Sequence, residues 1–142
     1  MQIFCPYASP LETAKCLDPK RLNRQIQEAE VILDAIHGTG KGWFNHPVTN
    51  MYTNHWGWLY NYFACLYHFK IGNLNSAKIS SDRADSQKPP FLTEEFCIQH
   101  RRRLYTKNKE YYKQFAEYGE SEENWYCIGG KIVKYINGKR IE

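Results

Sequence analysis

One segment constrains the fold of this chain more than any other: Asp18 to Ile36. Asp18-Pro19 combines a side chain that caps a helix with proline at the first helical position. Leu22, Ile26, Ala29, Leu33 and Ile36 then recur at helical spacing, which predicts a helix over about 19–37 with one buried face. Arg21, Gln25 and Glu28 form a second stripe, at i, i+4 and i+7, along the flank of that face. A carboxylate beside a guanidinium on the edge of an apolar seam is held in place and partly shielded from water. Such a carboxylate can do chemistry, so Glu28 is the first candidate for function.

The rest of the chain reads as a small domain built around this helix. At 142 residues, one domain over 1–142 with a single core is expected, and eleven Tyr, seven Phe and four Trp provide large buried areas per residue. The N-terminal Ile3, Phe4 and Tyr7 are apolar enough to be packed. Ser9-Pro10-Leu11-Glu12 reads as a capping box that starts a short helix over about 10–17. Gly38, Gly40 and Gly42, interrupted by Lys41, end the long helix; the run lacks the spacing of a phosphate loop. A second long helix is expected from about 48 to 71. Its stripe includes Met51, Trp58, Leu59, Tyr62 and Leu66, while Trp56, Tyr60 and Tyr67 lie off the stripe, which predicts burial on more than one side. The polar stretch 74–90 reads as a loop. Thr93 then caps a third long helix to about 105, residues 108–115 form a short helical piece, and the tail around Gly129-Gly130 and Asn137-Gly138 is a hairpin or extended. The expected class is all-α, with three long helices.

Charge and cysteine usage narrow the function classes. The net charge of +4 permits nucleic-acid binding without requiring it. Basic residues concentrate in His100-Arg101-Arg102-Arg103, Lys107, Lys109 and Lys113, interleaved with Tyr105, Tyr111 and Tyr112. Cations neutralise phosphates and rings stack on bases, although a solvated helix face has the same composition. Five scattered cysteines, no Cys-x-x-Cys pair and no leader-like N-terminus fit a reduced, cytoplasmic protein. No run is long and apolar enough for a membrane span. The histidines show no metal-ligand spacing, so neither metal nor cofactor is expected. Asn45-His46-Pro47, between two long helices, is placed to cap the next helix or to reach a ligand at the mouth between them.

The order of these landmarks resembles the pyrimidine-dimer DNA glycosylase family, the endonuclease V type of phage and bacterial repair proteins. The likeness is carried by Met1-Gln2-Ile3-Phe4-Cys5-Pro6-Tyr7, by Leu17-Asp18-Pro19-Lys20-Arg21-Leu22 with Gln25 and Glu28, and by Gly42-Trp43-Phe44-Asn45-His46-Pro47 with Met51. Pro89-Pro90-Phe91-Leu92, His100-Arg101 and Lys107 to Tyr112 complete it. The resemblance implies a compact helical domain with its N-terminus among the helices. It also implies removal of a damaged base followed by strand nicking. In that chemistry the chain's own α-amine attacks the anomeric sugar carbon and forms a Schiff base, and β-elimination breaks the backbone. With an ordinary pKa of about 7.7–8.0, an α-amine keeps a useful neutral fraction near pH 7.

Glu28 matches the family glutamate that stabilises positive charge developing on the sugar. Arg21 takes the place of a side chain, usually histidine in the phage branch, that holds the damaged site. The phage enzymes expose a threonine amine after loss of the initiator Met. Here residue 2 is Gln, whose bulk ordinarily retains Met1, so the amine belongs to Met1, or to Gln2 if Met1 is removed, in which case Gln2 can cyclise and lose it. The expected catalytic set is therefore Met1, Gln2 and Glu28. The expected DNA-binding set is Arg21, Gln25, Asn45, His46, His100, Arg101, Arg102 and Lys107. The partner is double-stranded DNA with a damaged or modified base, and the protein is a monomer in a bacterial or phage-infected cell. A non-catalytic nucleic-acid-binding protein and a glycosylase for a phage-type modified base are the alternatives.

Overall fold

The computed structural model describes residues 1–40 and 42–141. Six α-helices run in order: α1 (Pro10–Cys16), α2 (Pro19–Ile36), α3 (Pro47–Tyr52), α4 (Trp56–Lys70), α5 (Leu74–Asp85) and α6 (Glu94–Lys107). Short 3-10 segments follow α3 (Thr53–His55) and α6 (Lys113–Tyr118), and the chain ends in three strands, β1 (Asn124–Ile128), β2 (Lys131–Ile136) and β3 (Lys139–Ile141).

The caps read from sequence are formed. Ser9 Oγ accepts from the Glu12 N–H at 3.3 Å, and Asp18 Oδ2 accepts from the Arg21 N–H at 3.3 Å. Leu22, Ala29, Ile32 and Leu33 of α2 are buried against α4, whose Trp58, Leu59, Tyr62 and Leu66 fill the centre of the core. Burying each of these large side chains stabilises the fold by about 1.5–3 kcal/mol before entropy is counted. At the end of α2, Gly38 turns at φ 75°, and the N–H groups of Thr39 and Gly40 both donate to Asp34 O. Lys41, part of the same glycine run, lies outside the described residues.

The expected all-α class is overturned by the antiparallel β1-β2-β3 sheet. Two tight turns build it. Gly129 and Gly130 both have positive φ (59° and 79°), as do Asn137 and Gly138 (51° and 77°). That geometry matches the right-handed twist of the flanking strands and demands Gly or Asn. Trp125, Tyr126 and Val133 are buried, and β1 packs against α3, so the tail is part of the core.

Three further expectations fail. The stretch 74–90 is not a loop: α5 occupies Leu74–Asp85, which makes four long helices rather than three. Its buried face is Ala77, Ser80, Ser81 and Ala84, small side chains that let α5 lie close to α4. The helix expected over 48–71 is broken by the 3-10 turn into α3 and α4; α4 packs against α1, α2 and α5, but the three off-stripe rings on which the expectation of burial on more than one side rests are not buried. Trp56, Tyr60 and Tyr67 face solvent. The short helical piece near 108–115 is displaced to the 3-10 segment at Lys113–Tyr118.

Candidate functional site

The first seven residues are extended and largely buried, yet they join neither helix nor sheet. Buried backbone groups need hydrogen-bond partners, and here side chains from five other elements supply them. Tyr126 Oη of β1 donates to the Met1 carbonyl at 2.9 Å. Gln25 of α2 donates through Nε2 to the Gln2 carbonyl at 3.0 Å and accepts the Phe4 N–H on Oε1 at 2.7 Å. Tyr62 of α4 donates to the Phe4 carbonyl at 2.7 Å. His100 Nδ1 of α6 accepts the Cys5 N–H at 2.7 Å, and Arg101 Nε donates to the Pro6 carbonyl at 2.8 Å. Thr13 of α1 donates to the Tyr7 carbonyl at 3.0 Å. The chain end is thus suspended on named side chains, and its amine sits at a fixed place.

That place is the edge of a cleft of about 550 Å³ between α2 and α6. Met1, Arg21, Gln25 and Glu28 line it, with Arg103 and Lys107 reaching in from α6. Gln25 links the two halves of the site, because the same Nε2 that holds the Gln2 carbonyl lies 3.1 Å from Glu28 Oε2. Arg24 Nε lies 3.4 Å from Glu28 Oε1, and the Glu28 side chain is only 17% exposed. Arg21 is steered by its 3.2 Å ion pair with Asp18, which Tyr112 Oη holds in turn.

Electrostatics in the cleft favours a reactive amine. Burial lowers the pKa of the Met1 amine below its ordinary value of 8.0; Glu28 opposes the shift, and Lys107, Arg103 and Arg24 add to it. Burial also raises the Glu28 carboxyl, against the pull of the amine, Arg24 and Gln25. Lys107 is itself lowered, by burial and by Arg103 and Arg21. A neutral amine next to a desolvated carboxylate among cations can attack an electrophilic carbon and have the resulting positive charge met at once.

The structure brings Met1, Gln2, Arg21, Gln25, Glu28 and Lys107 together in this cleft. His46 stands nearby, its ring 5.7 Å from that of Tyr126. Burial and then the Met1 ammonium hold its pKa down, and Nδ1 is occupied as the cap of α3, accepting from the Val48 N–H at 3.1 Å. Asn45 is exposed on the connection before it. His100 and Arg101 do not line the cleft; both are buried and spent on the N-terminal backbone. Burial drives His100 to a pKa of about 3, so it stays neutral. Arg101 also pairs with Glu94 at 3.3 Å and lies over the Tyr7 and Tyr118 rings. Arg102 Nε donates to the Tyr118 carbonyl at 2.8 Å. The cluster is therefore not a solvated helix face.

Arg24 and Arg103 are members of the site that the sequence reading left out. Each had a signal: Arg24 stands four residues before Glu28, and Arg103 four before Lys107. Among the described residues, no cluster of His, Cys, Asp or Glu is placed to hold a metal ion, and no helix is long and apolar enough to cross a membrane.

The cleft thus sets an α-amine close to a shielded glutamate among cations. Residues 1–68 match the family model of pyrimidine dimer DNA glycosylase. The match supports the resemblance carried by the sequence landmarks. It spans just under half of the chain and takes in the N-terminal thread, all of α2 and the Asn45-His46-Pro47 connection. Arg103 and Lys107 of α6, which line the cleft, and Tyr126 lie beyond it. No curated protein and no solved structure matches the chain.

Proposed function

We propose that this protein is a DNA repair glycosylase with an associated abasic-site lyase step, acting on damaged pyrimidines in duplex DNA through its α-amine. The observation that carries this reading is the pairing of the buried Met1 amine, its pKa lowered, with Glu28 in one cation-lined cleft. The neutral amine attacks C1′ of the damaged nucleotide. The C1′–N1 bond breaks, its electron pair leaves with the base, and the base takes up a proton. The amine then gives up a proton, O4′ accepts one as the sugar ring opens, and C1′ and the chain terminus are joined as an iminium. A base removes a proton from C2′. The C3′–O bond then breaks with departure of the 3′ phosphate, and water releases the sugar remnant.

Glu28 is assigned the charge stabilisation at C1′ and acceptance of the C2′ proton. Arg21, Arg103 and Lys107 are assigned the flanking phosphates. With Met1 in place, Gln2 contributes its backbone carbonyl, which Gln25 grips.

Borohydride reduction tests the reading, because it converts the iminium into a stable cross-link. A covalent adduct is expected with duplex carrying an abasic site or a cyclobutane pyrimidine dimer, with a much lower yield for Glu28→Gln. Absence of an adduct with wild-type protein, or equal yields from the two proteins, counts against it. Intact mass of the purified protein identifies the residue that carries the amine. Duplexes with modified bases decide whether the substrate is a dimer or a single altered base.

A further inference from the structure

The connection between α2 and α3 presents two adjacent aromatic rings to solvent. Trp43 is 44% exposed and Phe44 46%. Their exposure is not slack in the chain. Trp43 lies at φ 67°, and among the described residues only Asn137 shares a positive φ without being glycine. A bulky L residue avoids this region, so its presence means that the surroundings enforce it. The Trp43 carbonyl accepts Thr49 Oγ1 at 2.6 Å and the His46 N–H at 3.3 Å, and the Trp43 ring meets the His46 ring edge-on at 5.0 Å. Thr49 is buried, and His46 is itself pinned as the α3 cap. The backbone therefore holds the tryptophan outward.

The same contacts lead to the candidate nucleophile. The Trp43 ring packs on His46, the His46 ring lies against Tyr126, and Tyr126 holds the carbonyl of Met1. The exposed rings of Trp56, Tyr60 and Tyr67 differ from these, since they stand on the regular helix α4.

We propose that Trp43 and Phe44 form a stacking wedge that enters the duplex at the lesion and fills the space of a nucleotide displaced from the stack there. The inference rests on the glycosylase reading, because access to C1′ within a duplex calls for the stack to be opened at the lesion. Apolar side chains inserted between base steps unstack and kink DNA, and an aromatic face replaces the lost base–base contact. A rigid presentation suits this task, since a ring already held outward loses little freedom on insertion. Phosphates are met by the cations of α2 and α6, while the rings on the α2–α3 connection meet bases.

The test uses the full-length protein and duplex with 2-aminopurine opposite a cyclobutane thymine dimer, with fluorescence reporting unstacking on binding. Trp43→Asn is the main variant because asparagine tolerates positive φ. Trp43→Phe restores a ring, and Phe44→Ala removes the second one. Wild type and Trp43→Phe are expected to raise the fluorescence, and Trp43→Asn and Phe44→Ala to lose most of the rise. Single-turnover nicking by Trp43→Asn should fall about tenfold or more on paired duplex, the size expected for a lost base–aromatic stack. The defect should shrink on a duplex already unpaired at the lesion by a bulge. A full fluorescence rise with Trp43→Asn overturns the wedge, as does an equal nicking defect on bulged and paired DNA. If wild type forms no borohydride adduct but its fluorescence rise depends on Trp43, the wedge stands and the catalytic reading falls.

Discussion

The Met1 amine and Glu28 set each other's protonation. Burial lowers the amine and Glu28 raises it, so removing the carboxylate charge should lower the amine further. The midpoint for amine labelling against pH is expected to move down in Glu28→Gln and up in Lys107→Met, which removes a cation that disfavours the ammonium. Reductive methylation followed by NMR across pH 5–9 reads both shifts. Adduct formation should nonetheless fall in Glu28→Gln, because the amine becomes more available while the charge developing at C1′ loses its counter-ion. An unchanged midpoint in both variants would separate the amine from the cleft electrostatics altogether. The position of Glu28 in the cleft was legible in the sequence, since its distance along α2 from Asp18-Pro19 sets which face it occupies. The involvement of Gln25 was also legible, but not its task. Only the folded chain shows one amide gripping the Gln2 carbonyl, the Phe4 N–H and Glu28.

Among the elements, α6 differs most from its sequence reading. Its basic run suggests a DNA-facing surface, yet His100 and Arg101 point inward to satisfy an N-terminal segment that has no strand partner. Arg101→Ala leaves the Pro6 carbonyl and Glu94 without their donor, and should destabilise the fold by about 2–4 kcal/mol. Denaturant melts measure this. DNA affinity per folded molecule should change little in that variant, whereas Lys107→Ala should reduce the slope of log affinity against log salt by about 1. If Arg101→Ala loses affinity while keeping its stability, the assignment is reversed.

Two of the failures at this scale, α5 and the sheet, have clear physical causes. α5 was hidden because its buried stripe is Ala77, Ser80, Ser81 and Ala84, which has helical spacing but little hydrophobicity, so a search for apolar periodicity passes over it. The sheet was hinted at by Gly129-Gly130 and Asn137-Gly138, but only Trp125 and Tyr126 of β1 and Val133 of β2 are well buried, and short half-exposed strands look like a tail. The capped helices α1, α2 and α6 were readable, because Ser9, Asp18 and Thr93 act on their own neighbours.

For the molecule as a whole, acid should be the sensitive axis. His100 is buried neutral at a pKa of about 3, far below the 6.5 of an exposed histidine. Between those values the unfolded chain binds the extra proton and the folded one does not, so stability rises with pH and is lost as pH falls below about 6.5. The loss should reach about 2 kcal/mol by pH 5. His100→Gln, which keeps an acceptor without a titrating ring, should flatten the slope of melting temperature between pH 6.5 and 5. Glu28 works in the opposite direction in the carboxylate range, because its raised pKa makes the folded chain the better proton acceptor. An identical slope in wild type and His100→Gln would show that another group governs acid lability.

The suspended N-terminus also bears on how the protein is made. This segment is synthesised well before its partners: Arg101 lies 95 residues from Pro6, and Tyr126 lies 125 from Met1. Such distant pairings form only after long loops have closed. The amine therefore has no fixed address until β1 has been synthesised, and a product that stops before β1 carries Met1 without the means to aim it.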